Sequence, residues 1–274
     1  MSRAYTFLFL LSIALFFTAC SEYSKVLKST DTTYKFEKAV EYYKEGDCFK
    51  SLPIFEELIG LERGTLRAEE NYYYYAQTHY CIGDYYLANY YFKNFAKTYP
   101  NSRYAEECLF MAAMCSYENS PKSSLDQTET RQAIDEFQLF LDRYPTSSLK
   151  DSSNTMIAGL RSKLENKSYE VAKLYEKTGY YRAAVIALQN GLKEFPDTRY
   201  REEMMFLTVK SQYSLAVNSI DEKKLPRFEE TTKFYYTFVA AFPQSKYLND
   251  AEKIFNASLK EIDTLKGNLL KDEL

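Results

Sequence analysis

Small, aromatic and breaking residues recur along this chain at fixed offsets, with no alternation of the kind a strand needs. Around Gly83, Ala76 lies seven residues before, and Ala88, Phe92 and Pro100 lie five, nine and seventeen residues after. Ala39, Gly46, Ser51 and Phe55 repeat the spacing without the proline, and Ala172, Gly179, Ala184, Leu188 and Pro196 repeat it in full. Ala113, Ala133, Phe137 and Pro145 fit a further unit whose turn is opened by the insertion 119–130. A degenerate fifth unit keeps Tyr235, Phe238 and Pro243, with Pro226 where the glycine should stand. The residue types have physical reasons. Small side chains let two helices cross closely, glycine ends a helix in a conformation other residues resist, and proline cannot continue the helix. Past each of four prolines comes Ser or Thr, a natural helix cap, and then acid in the next first turn: Glu106 and Glu107, Asp151, Glu202 and Glu203, Asp250.

These offsets match the tetratricopeptide (TPR) skeleton, and repeats of about this period stack into solenoids. The predicted fold is all-α: a TPR helical superhelix of five helix pairs from about 34 to 243, plus an amphipathic C-terminal helix from Tyr247 to about Leu265. The gap between Pro145 and Ala172 is about fourteen residues longer than that between Pro100 and Ala113. It predicts a long helix from Lys150 to Thr178. The expected organisation is repeats 1–3 over 34–148, repeats 4–5 and the closing helix over 149–265, and a tail over 266–274.

Composition narrows the function. The 274 residues hold 27 Tyr and 19 Phe with no Trp, only 8 Gly and 7 Pro, and a single His. One imidazole excludes His-rich zinc sites and two-imidazole mechanisms, and no glycine-rich phosphate loop or nucleophile elbow is present. The expectation is a protein that is not an enzyme and needs no cofactor or metal. A net charge of −3 offers no basic excess for nucleic acid.

The N-terminus reads as an address. Arg3 precedes an apolar run of 13 residues, Tyr5 to Phe17, shorter than the roughly 20 a membrane span needs. Phe17-Thr18-Ala19-Cys20 resembles a bacterial lipobox, with Phe17 where leucine is usual. This implies a signal peptide over 1–19 and lipid attachment at Cys20. Residues 20–33 then read as a tether from membrane to domain. A competing address ends the chain: Lys271-Asp272-Glu273-Leu274 spells an ER-retention signal. The sequons at Asn166 and Asn256 suit that alternative, an ER-lumen TPR co-chaperone. Another envelope TPR adaptor is a further alternative.

A lipobox followed by five TPR pairs, with [FY]-P-x-[ST]-x-[YL] joints at Tyr99, Tyr144, Phe195 and Phe242, resembles the BamD family. These are lipoproteins of the outer-membrane β-barrel assembly machinery. The resemblance covers about residues 20–265. It implies a bacterial outer-membrane location with the folded domain in the periplasm, and a non-catalytic scaffold. It also implies two partners. Unfolded outer-membrane protein precursors would engage the N-terminal repeats, and a BamA-like barrel insertase would dock the C-terminal ones.

Candidate binding residues follow from the 37-residue spacing of the first three A helices. Phe36, Tyr73 and Phe110 share one position, and Tyr43, Tyr80 and Tyr117 share another two turns along the same face. Such positions usually line the concave surface of a TPR array. A double ladder of rings there would take an extended peptide with alternating aromatic side chains, as a nascent barrel strand offers. The competing reading packs these rings between neighbouring helices. Cys48 is expected to begin helix B of repeat one and Cys81 to end helix A of repeat two; consecutive helices run antiparallel, so these ends meet and a bridge can form in the periplasm, while the other reading is four buried small side chains, Cys48, Cys81, Cys108 and Cys115. His79 is expected as a packed, hydrogen-bonded core residue. Tyr72 and Tyr75 are expected in the core, and 221–224 in a solvated loop. Lys150 onward carries alternating charge expected to meet a folded partner.

Overall fold

The computed structural model describes residues 22–272, with side chains to residue 268. The expected signal peptide over 1–19, Cys20 and the end of the C-terminal tetrapeptide lie outside the described residues. Twelve helices fill the described chain. A first helix, α1, covers 22–28, and five pairs follow: α2 (Thr32–Lys44) with α3 (Cys48–Leu61), α4 (Ala68–Cys81) with α5 (Tyr85–Thr98), α6 (Ala105–Asn119) with α7 (Thr128–Arg143), α8 (Lys150–Lys177) with α9 (Tyr181–Glu194), and α10 (Arg201–Val217) with α11 (Asp221–Ala241). α12 (Leu248–Asp272) closes the array. It runs past the expected end near Leu265 and takes in most of the expected tail. Its amphipathic face sets Ala251, Ser258 and Ile262 inward.

The repeated small residues sit where helices touch. Ala39, Ala76, Ala88, Ala113, Ala133, Ala172 and Ala184 are fully buried, as are the large B-helix residues Phe55, Phe92, Phe137, Leu188 and Phe238. Truncating such a side chain costs about 2–5 kcal/mol. Gly46, Gly83 and Gly179 end their A helices with φ of 84°, 80° and 82°. At Gly83 the following amide, Asp84 N–H, reaches back to the carbonyl of His79, and the Gly83 N–H reaches that of Tyr80. That pair of bonds is the Schellman closure, which needs a left-handed residue.

The proline joints differ from the expected caps in register. Ser102, Ser147, Thr198 and Ser245 stand three residues before their helices, not at the helix boundary. Each hydroxyl accepts the N–H two residues on, at 3.0–3.2 Å, from Tyr104, Leu149, Tyr200 and Tyr247. Each carbonyl accepts the first helical N–H, from Ala105, Lys150, Arg201 and Leu248. The joint is a hydroxyl-closed turn that feeds the helix. Thr65 builds the same turn before α4, with Gly64 at φ 83° just before it and Arg63 where the other joints carry proline. This fifth copy is hidden in the sequence because it lacks the proline.

Two more segments depart from expectation. The expected tether holds a packed helix: in α1, Val26 is fully buried, the Tyr23 ring meets Tyr42 edge-on at 5.7 Å, and Tyr23 Oη donates to the Lys50 carbonyl. A sparse pattern of apolar residues hid it, since two anchors suffice for so short a helix. Residues 221–224 form the first turn of α11, not a loop. Asp221 and Glu222 complement the helix N-terminus, and Lys224 pairs with Asp221 at 2.9 Å. Pro226 therefore lies inside α11, where its missing N–H removes only the bond to Glu222, and the turn falls at 218–220.

Two compact units divide the chain within α8. Unit 1 runs to Leu160 and unit 2 begins at Arg161. α8 itself runs unbroken through Gly159, as a single 28-residue helix.

Candidate peptide-binding groove

In unit 1, the three A helices carry the six predicted rings, and all six are half-buried. The upper row turns inward onto B helices. Phe36 meets Phe55 at 6.1 Å, Tyr73 meets Phe95 at 6.3 Å, and Phe110 meets Phe137 and Phe140 at 5.9 and 5.5 Å. In the lower row, Tyr43 meets Tyr74 at 5.6 Å, Tyr80 meets Tyr85 at 5.3 Å, and Tyr117 packs on the cluster of Ala113, Ala133 and Phe137. Each ring thus spends one side on packing and leaves the rest open.

Tyr74 is the hub that the spacing did not single out. It stacks on Phe55 at 5.7 Å with planes 5° apart, and it also touches Phe36, Tyr43 and Tyr73. Four consecutive tyrosines cannot share a face, so Tyr75 alone is fully buried while Tyr72, Tyr73 and Tyr74 are half-buried. Burial pushes the Tyr72 and Tyr80 hydroxyls up to about 12.

The polar contacts beside these rings centre on one trio. Tyr73 Oη donates to Glu107 Oε1 at 2.8 Å, and Gln77 Nε2 donates to the same oxygen and to Tyr73 Oη, each at 3.0 Å. Tyr104, from the Ser102 joint, stacks on Tyr73 at 4.1 Å, and Arg103 lies over Tyr104. Burial, and then the Glu107 carboxylate, hold the Tyr73 phenol strongly in its neutral form. A half-buried ring beside an exposed carboxylate can take both a side chain and a backbone N–H of an extended strand. Glu107 and Tyr104 were visible in the sequence as first-turn acid and joint aromatic. Only folding places them beside Tyr73.

Unit 2 repeats the trio. Tyr169, three residues before Ala172 as Tyr73 is before Ala76, stacks on Tyr200 at 4.1 Å. Lys173 stands where Gln77 stands in unit 1. Its Nζ donates to Tyr169 Oη at 2.6 Å and to Glu203 at 3.0 Å. Burial raises the Glu203 carboxyl, but bonds from Tyr169 and Lys173 outweigh it and the net direction is down. Phe206 follows Tyr169 by 37 residues and stacks on Tyr247 at 4.7 Å. The lower row is interrupted once: Glu176 takes the ring's place in α8 and pairs with Lys210 at 2.8 Å, and Tyr213 resumes the row in α10, 5.9 Å from Phe228.

At the end of unit 1's second A helix, Cys48 and Cys81 form a disulfide with Cα atoms 6.2 Å apart. Antiparallel helix ends bring them together. Cys108 and Cys115 are buried free thiols, both raised by burial. His79 is buried between Tyr75 and Tyr91, with centroids at 4.6 and 5.1 Å. It is packed but not hydrogen-bonded as expected. Neither ring nitrogen has a partner, Asp84 stands 3.8 Å from Nδ1, and burial lowers the imidazole pKa.

Among the described residues no group of three or more His, Cys, Asp or Glu is placed to hold a metal, and no helix is long and apolar enough to cross a membrane. The architecture defines an all-α TPR-type repeat protein whose distinctive chemistry is a set of half-buried rings. Residues 28–227 match the YfiO family, described as an outer membrane lipoprotein. The chain belongs to that family, the BamD family. It is 26% identical over 262 residues to the putative outer membrane protein assembly factor BamD of Aquifex aeolicus, covering 94% of this chain and 85% of that protein. It is 22% identical over 162 residues to outer membrane protein assembly factor BamD of Caulobacter vibrioides, covering 59% of this chain and 50% of that protein.

Proposed function

We propose that this chain is a non-catalytic scaffold in the assembly of β-barrel outer-membrane proteins. It is held to the outer membrane by acylation of Cys20, with its repeats in the periplasm. The observation that carries the reading is the alignment with an assembly factor along 94% of the chain, spanning every repeat. In this reading unit 1 receives unfolded precursors on the rings of α2, α4 and α6. Unit 2, which carries the Lys173–Glu203 and Lys210–Glu176 ion pairs, docks a BamA-like insertase. The half-buried rings support weak, reversible capture, since ring contacts give roughly 0.5–1.5 kcal/mol each beyond burial.

Crosslinking followed by pull-down from native membranes tests the scaffold role. A barrel insertase and outer-membrane precursors are the expected products, and their absence overturns it. Tyr73→Ser with Tyr80→Ser should weaken precursor crosslinks while insertase crosslinks persist.

A further inference from the structure

We propose that the outward face of α1 is a membrane-docking surface, fitted to anionic phospholipid headgroups, that lays the first repeat on the bilayer. The proposal rests on reading Cys20 as the anchor. One residue, Ser21, separates Cys20 from the start of α1 at Glu22, a reach of at most about 7 Å. α1 is no tether: Val26 and Tyr23 fix it to the domain, and Glu22 binds Lys38 at 2.9 Å. The acyl chains of a modified Cys20 would therefore hold this helix beside the headgroups.

The side of α1 turned from the domain suits that position. Ser24, Lys25, Leu27 and Lys28 are exposed, with the two lysines neighbours at i, i+3 and Leu27 round the helix from them. Lys25, Lys28, Ser24, Ser29 and Tyr34 line a shallow depression of about 410 Å³. Lys25 and Lys28 form no ion pair with any described residue, whereas Lys35 and Lys38 are paired with Glu57, Glu22 and Glu41. The nearby carboxylates are committed: Glu22 to Lys38, and Asp31 to the N–H groups of Thr33 and Tyr34 at the start of α2. Two neighbouring ammonium groups with no ion pair to any described residue suit the phosphates of anionic headgroups, where lysine stems lie along the interface and their heads meet phosphate. A protein partner would call for a wider apolar patch than Leu27 provides.

The test uses the mature chain from residue 20 carrying C20A, exported behind a cleavable leader, floated with vesicles. The chain should co-float with vesicles containing phosphatidylglycerol at low salt. It should stay behind with phosphatidylcholine vesicles or at high salt. K25E with K28E, folded as judged by circular dichroism, should lower partitioning on the order of twentyfold or more. No binding to anionic vesicles, equal binding to neutral ones, or no effect of the charge reversal overturns the docking surface. The intact mass of the native protein decides acylation separately. A mass without acyl chains sinks the anchor reading, and the vesicle measurement still decides the surface.

Discussion

Unit 1 and unit 2 build the same trio with one changed residue. In unit 1, Gln77 bridges Tyr73 and Glu107 as a neutral donor; in unit 2, Lys173 bridges Tyr169 and Glu203 as a cation. The neutral bridge leaves Glu107 with net charge and open acceptor capacity beside the Tyr73 ring. The cationic bridge neutralises Glu203 and locks the ring in an ion pair. The same backbone thus offers an open, ring-rich surface in one unit and a charge-matched one in the other. The closures of the units differ too. Unit 1 has a disulfide across α3 and α4, while unit 2 relies on close packing, seen at Gly191, where an added Cβ would meet Ser168 Oγ at 2.6 Å and Met204 Cε at 2.7 Å.

The largest expected effect breaks unit 1 alone. C48S with C81S removes a link between residues 33 apart, which should destabilise by about 2–4 kcal/mol. Hydrogen exchange should show the loss in α2–α5 while α9–α12 stay protected. Equal loss in both units would show that they do not unfold separately. The counterpart in unit 2 is Gly191→Ala, expected to cost about 1–3 kcal/mol in thermal unfolding by crowding Ser168 and Met204. Gly60→Ala, with open space around it, should cost nothing of that kind.

His79 sharpens the comparison through pH. Its folded pKa lies below the ordinary value of about 6.5, so the unfolded chain binds the proton first. Its neutral form is fully compatible with the fold above pH about 6.5, and stability falls as pH drops from there through the folded pKa. His79→Phe should remove that part of the acid sensitivity from unit 1 and leave unit 2 unchanged, read from urea midpoints at pH 7.5 and pH 5. The smallest effect is the exchange at the trio. Lys173→Gln should change stability by about 1 kcal/mol or less, since Lys173 and its partner reach solvent. It should also reduce the salt dependence of insertase binding. Gln77→Lys should do the opposite in unit 1, weakening precursor capture while adding salt dependence. Unchanged salt responses in both variants would separate the trio from partner choice.

Much of the fold was legible because TPR packing constrains residue size at fixed intervals. Ala76, Gly83, Ala88 and Phe92 each answer a local demand: a close crossing, a left-handed turn, a filled gap between two helices. Those demands repeat, so the sequence by itself determined five helix pairs, the long α8 and the rows of A-helix rings. It also placed Cys48 and Cys81 at facing helix ends, while leaving open whether they bridge. What it could not determine depended on what lies opposite. Two residues anchor α1, and only the surface of α2 and α3 makes those two sufficient. Pro226 resembles a turn signal until the start of α11 places it where one lost hydrogen bond is tolerable. Glu107 and Tyr104 read as a first-turn acid and a joint aromatic, yet they form the site with Tyr73 from 34 and 31 residues away. Local spacing records the needs of one helix and its turn. The half-burial of the rings, the orphaned nitrogens of His79 and the exchange of Gln77 for Lys173 become physical only when neighbouring repeats set the solvent, the partners and the charge around each side chain.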